Sequence, residues 1–186
     1  MNLFAHTVSQ GGQPFELAAA VYAAVAVWCI ACCGWDIRRR VVPNRLTLAG
    51  AAVALAARLG YGGWPLLVDG FAAAAVAGFF LLIPFLLRGA GGGDVKMLFA
   101  AGAVVGWQGV LPMLWVTSLA GLVMGVAMLA LGRLDGARLK HLARCAVDWR
   151  YDRRAGALAL PPREDARSRI PFSVPIAVGL LAVLAR

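Results

Sequence analysis

Charge and nucleophilic side chains are what this chain has least of. Only 15% of its 186 residues are charged, with nine acids against eighteen Lys and Arg. Histidine occurs twice, as His6 and His141, in regions far apart, and Ser118 and Ser173 have no evident base nearby, so a serine or cysteine hydrolase is not supported. Of four cysteines, Cys29, Cys32 and Cys33 share one apolar stretch and Cys145 stands alone. That distribution supports neither a disulfide framework nor a paired zinc site, and the Cys29-x-x-Cys32 spacing reads as small packing residues in a helix. No glycine-rich stretch ends in the Gly-Lys-Ser/Thr of a phosphate-binding loop. No metal and no cofactor is expected.

What is present is hydrophobicity: 61% of residues are apolar, too many for a soluble domain of this length. Apolar stretches run from about Phe15 to Trp35, Val42 to Gly60, Pro65 to Leu87, Val95 to Val110, Leu111 to Leu131 and Ile170 to Ala185. A helix needs roughly 20 apolar residues to cross a bilayer core. The pattern predicts an all-α polytopic membrane bundle of about six transmembrane helices, forming one integral-membrane domain over residues 1–186. The second, fourth and sixth stretches are short for a crossing, and the fourth and fifth are parted only by Gly106 to Gly109. The first stretch has no basic region before it and arginines after it, so it is expected to stay in the protein as a span.

Lys and Arg placement tests that count, because short cytoplasmic loops retain positive charge. Arg38, Arg39, Arg40 and Arg45 follow the first stretch, Arg88 and Lys96 flank the gap after the third, and ten Lys and Arg from Arg133 to Arg169 follow the fifth. Every second connection is basic. The amino terminus is therefore expected outside, with a long basic cytoplasmic loop over about 132–169 before the last helix. Within that loop, Ala137 to Trp149 could form a short amphipathic helix on the membrane, although a solvated connector is the favoured reading. Arg58 and Arg186 fall at outward ends, where long side chains snorkel. The net charge of +9 then faces anionic lipid headgroups, and no nucleic-acid partner is expected.

Against this apolar background two aspartates stand out. Asp36 ends the first stretch in Trp-Asp-Ile-Arg-Arg-Arg-Val-Val-Pro-Asn, and Asp94 opens the fourth in Gly-Gly-Gly-Asp-Val-Lys. Two crossings separate them, so both lie on the cytoplasmic face and can meet. Ionisable groups at such depth are costly and are functional suspects. Two carboxylates brought together share a proton; the ionised one takes a proton from water as it attacks a peptide carbonyl, and the protonated one donates to the carbonyl oxygen. Gly89, Gly91, Gly92 and Gly93 would permit positive φ and close approach of another strand. Amides at the start of the fourth helix favour an ionised Asp94, which points to it as the first base. Taken alone, that motif reads equally well as a flexible loop with a helix-capping aspartate. Asp69 lies at the outward side, where interfacial capping or a helix–helix hydrogen bond is the better reading.

These residues resemble the type IV prepilin peptidases, GxGD membrane aspartic peptidases. Asp36 with Arg38 to Arg40 and Val42-Pro43-Asn44 is similar to their first motif, and Gly91-Gly92-Gly93-Asp94-Val95-Lys96 matches Gly-x-Gly-Asp-x-Lys. Ile170-Pro171-Phe172 followed by Pro175 is similar to the family's carboxy-terminal pattern, with Ser173-Val174 departing slightly from its usual glycine. The resemblance implies cleavage of prepilins or pseudopilins, at the cytoplasmic face of the inner membrane, before the precursor's hydrophobic helix. It implies Asp36 and Asp94 as the catalytic pair, with Pro43, Asn44, Gly91, Gly93 and Lys96 supporting them. Only a short tail precedes the first span, so no amino-terminal methyltransferase activity is expected; the compact size resembles peptidases of tight-adherence (Flp-type) pili and archaeal preflagellin peptidases. Two rivals remain. A small proton-coupled transporter would use Asp36, Asp69 and Asp94 as a relay, but no ionisable residue lies between the two faces. A presenilin-like peptidase would carry a Pro-Ala-Leu motif, which is absent, and a Tyr-Asp first motif, where this chain has Trp35-Asp36.

Overall fold

The computed structural model of the protein describes residues 14–39, 41–86, 91–131 and 172–185. They form four helices: α1 (Pro14–Arg39), α2 (Asn44–Leu86), α3 (Gly92–Ala130) and α4 (Ser173–Leu184). Three stretches, Ala19–Arg39, Asn44–Leu82 and Gly92–Ala130, are long and apolar enough to cross a membrane, and Ser173–Leu184 is a shorter apolar helix. Large apolar side chains such as Ile30, Phe79, Trp115, Leu122 and Val123 point outward, as a lipid-facing surface requires. The basic stretch expected over 132–169, with its amphipathic segment, and the amino-terminal tail lie outside the described residues.

α2 and α3 are each interrupted once. A straight 43-residue helix would be about 65 Å long, twice the thickness of a bilayer core. Gly63 (φ 64°, ψ −156°) breaks α2, and Gly106 (φ 73°, ψ −175°) breaks α3. Both conformations fall in a region open essentially only to glycine. α2 folds back at its break. Arg58 and Asp69 would stand about 16 Å apart along a straight axis, yet Arg58 Nη1 lies 2.8 Å from Asp69 Oδ2. The break in α3 falls at Gly106, the first residue of the Gly106 to Gly109 link between the fourth and fifth apolar stretches.

The break at Gly106 frees backbone groups that need new partners. In an unbroken helix the Ala103 carbonyl would accept from Trp107 N–H. Here Arg58 Nε donates to Ala103 O at 2.6 Å and Nη2 to Val104 O at 3.1 Å, while Trp107 N–H donates to Asp69 Oδ2 at 3.2 Å. A cation thus sits at the carboxyl end of one arm and an anion at the amino end of the next, each matching the local helix dipole. Arg58 does not snorkel: it is 1% exposed. Asp69 is both a cap and an inter-helix partner.

Small residues let the arms approach. The second arm of α2 lies antiparallel to the first arm of α3, with Gly102 packed on Ala73, Ala74 and Ala77 and Gly78 on Phe99. α4 runs antiparallel to the second arm of α3, so that Gly121 meets Phe172, Gly179 meets Thr117, and Gly109 meets Val183. α1 touches α2 where the Trp28 indole covers Gly50 and donates to Leu46 O at 3.1 Å. Cys29 and Cys32 are buried in the core.

Asp69→Asn should leave the Arg58 guanidinium buried without a counter-charge and lower stability by about 3 kcal/mol. Arg58→Met combined with Asp69→Leu removes both charges but orphans the Ala103 carbonyl, so it should recover only part of that loss. Thermal unfolding in detergent reads both; unchanged stability of Asp69→Asn would remove the clasp from this account.

Candidate active site

The end of the bundle opposite the Arg58 clasp gathers three separate pieces of sequence. Asp36 lies in the penultimate turn of α1, ahead of Arg38 and Arg39, whose cations suit a helix carboxyl terminus. Arg39 also stacks on Trp35, its guanidinium carbon 5.2 Å from the ring centroid. Asp36 is buried, and its Oδ2 accepts a hydrogen bond from Ser173 Oγ at 2.6 Å. Ser173, the first residue of α4, is 0% exposed.

Residues 41–43, which have no regular secondary structure, lead into α2. The Pro43 carbonyl accepts from Leu46 N–H and Thr47 N–H, so the Pro-Asn step starts the helix. A proline disfavours helical backbone in the residue before it, which keeps Val42 outside α2.

α3 begins in the glycine run. Gly91 is its N-cap (φ −83°, ψ 146°), and the Gly91 carbonyl accepts from Asp94 N–H at 3.1 Å. Asp94 Oδ2 reaches back to accept from Gly91 N–H at 3.2 Å, the carboxylate half of a capping box. The capping reading of Asp94 is therefore realised, and it holds the buried carboxylate in place. The described glycines of this run do not take positive φ, which among the described residues occurs only at Gly63 and Gly106. Their use is close approach. A Cβ on Gly93 would lie 3.2 Å from Val42 Cβ, and one on Gly92 would lie 3.3 Å from the Phe85 ring.

The two motifs are joined directly. Lys96 Nζ donates to Asn44 Oδ1 at 2.8 Å across 52 positions, and Gly93 abuts the Val42-Pro43 link beside it. Asp36 and Asp94 are the two buried carboxylates among the described residues, at 7% and 8% exposure. Asp69, the third member of the transporter relay, is engaged by Arg58 at the other end. No group of His, Cys, Asp and Glu among the described residues could hold a metal ion. Ser173 is the residue that sequence reasoning missed. The carboxylate it was thought to lack lies 137 positions away, and its place in the Phe-Ser-Val-Pro motif was the available signal.

An all-helical membrane protein with buried carboxylates and two glycine- and proline-marked turns at one end of its bundle is the class these features define. The model of the type IV leader peptidase family matches residues 23–126, more than half the chain, and the protein belongs to that family. No curated protein and no solved structure matches it. The family match spans Asp36, Asn44, Asp94 and Lys96, and Ser173 lies beyond it.

Gly93→Val should push the Val42-Pro43 link away and separate the two motifs. The expected result is at least a tenfold loss of peptidase activity, on the order expected for misplacing a reacting group, with helix content by circular dichroism unchanged. Wild-type activity in that variant would show that the close approach does not matter to the site.

Proposed function

We propose that this leader peptidase is an aspartic endopeptidase that removes the basic leader of type IV prepilins or pilin-like precursors, with Asp36 and Asp94 as its catalytic pair. The observation that carries the reading is the joining of the two aspartate-bearing motifs through Lys96 and Asn44, with both carboxylates buried at that end. One carboxylate, ionised, takes a proton from a water whose oxygen bonds to the scissile carbonyl carbon. The other, protonated, donates to the carbonyl oxygen. Collapse of the tetrahedral species returns that proton to the second carboxylate, breaks the C–N bond and delivers the first proton to the leaving amine. The products are a leader carboxylate and a mature amino terminus.

The proposed topology is six crossings in the inner membrane, with the amino terminus outside and the site at the cytoplasmic face. The alternation of basic and neutral connections supports it, as do the two glycine breaks, each of which divides one long helix into two arms. The whole chain is read as one peptidase domain without methyltransferase activity.

Asp36→Asn and Asp94→Asn keep size and hydrogen bonding but cannot pass a proton. Each should abolish cleavage of a candidate prepilin in membranes, a loss of at least about a thousandfold, at wild-type expression and insertion. Full cleavage by either variant would remove that aspartate from the mechanism. Single cysteines placed at Trp64 and Arg45 in a cysteine-free background should react with an impermeant thiol reagent from opposite sides of the membrane.

A further inference from the structure

Ser173 has a connection that the paired-carboxylate reading does not use. Its hydroxyl joins α4 to α1 at a buried point, 2.6 Å from one oxygen of Asp36. That length is typical of a hydroxyl donated to an ionised carboxylate. A serine hydroxyl has one proton to give. With that proton on Asp36 Oδ2, the hydroxyl has none left for another acceptor.

We infer that Ser173 is a positioning residue for Asp36: it fixes the carboxylate's rotamer and occupies Oδ2, leaving Oδ1 as the oxygen that exchanges a proton in the reaction. The inference rests on the proposed role of Asp36. An aspartate near a helix end has several side-chain orientations, and only some aim an oxygen at a shared water. A donor held on a different helix selects one of them before substrate arrives, which is preorganisation of the reacting group. Ser173 is well suited to this, because α4 is fixed against α3 by the Gly179–Thr117 and Gly121–Phe172 contacts and the hydroxyl does not move with α1.

The test is steady-state cleavage, by the full-length protein in lipid vesicles, of a synthetic precursor with a basic leader joined to an apolar helix. Ser173→Ala should lower kcat roughly 10- to 100-fold with KM within about twofold and thermal unfolding unchanged, and Ser173→Thr should restore most of the rate. If Ser173→Ala does not fold, Ser173→Cys, similar in size but a poor donor, takes its place with the same expectation. Wild-type kcat in the variant without a donor would overturn the inference. So would a loss shared between KM and unfolding temperature that Ser173→Thr repairs in full, because that pattern marks a purely structural pin. Asp36→Asn run alongside separates the two levels: if it is active, the reading of Asp36 fails; if it is inactive while Ser173→Ala is unimpaired, only the role of Ser173 fails.

Discussion

The architecture turns on how the backbone groups freed by one helix break are paired. At Gly106 a backbone rung is missing, and the Arg58–Asp69 ion pair substitutes for it, the guanidinium taking the freed carbonyls and the carboxylate taking the freed amide. A buried ion pair is weak evidence of stability when it merely replaces apolar packing. Here each charge also pairs backbone groups, and the cost of leaving those unpaired is what makes the pair indispensable. The clasp fixes the first arm of α3 against the second arm of α2, and the contacts at Gly102 and Gly78 extend that register toward Asp94. Gly106 itself has no room for a side chain, since a Cβ there would run into both Arg58 and Asp69.

Composition was enough to read the chain as apolar helices, and the two aspartate motifs were legible because each is local. The Asp94 motif could be read as a helix start because a glycine run before a carboxylate is a capping pattern. Small residues in the run from Phe71 to Phe80 are a local pattern that permits close helix contact, and Ala73, Ala74 and Ala77 are buried against Gly102. The misses are non-local. An arginine at the edge of an apolar stretch normally reaches for the interface, and nothing within a few residues of Arg58 reveals that a glycine break 48 positions later leaves carbonyls for it to bind. Ser173 falls in the same category. The Trp28 indole is a further non-local case, lying over Gly50 and donating to the Leu46 carbonyl 18 positions away.

The glycines have two distinct uses that sequence alone does not separate. Gly63 and Gly106 are required by backbone conformation, and Gly93, Gly102 and Gly179 by the proximity of another element. The first kind interrupts helices and the second brings them together. An apolar cavity of about 370 Å³ between α1, the first arm of α2 and α3 marks where such close contact is relaxed, on the far side of Trp28 and Leu46.

From Gly92 to the break at Gly106 the first arm of α3 is about 21 Å long at 1.5 Å per residue, against a hydrocarbon core of about 30 Å. Its two ends carry the most polar chemistry of the described bundle: Asp94 with Lys96 and Asn44 at one, Arg58 with Asp69 at the other. Such hydrophobic mismatch is relieved by thinning the surrounding lipid. In the proposed topology the short arm would draw the aqueous boundary inward at the position of Asp94, and a hydrolytic site there would gain a supply of the reactant that a membrane otherwise excludes.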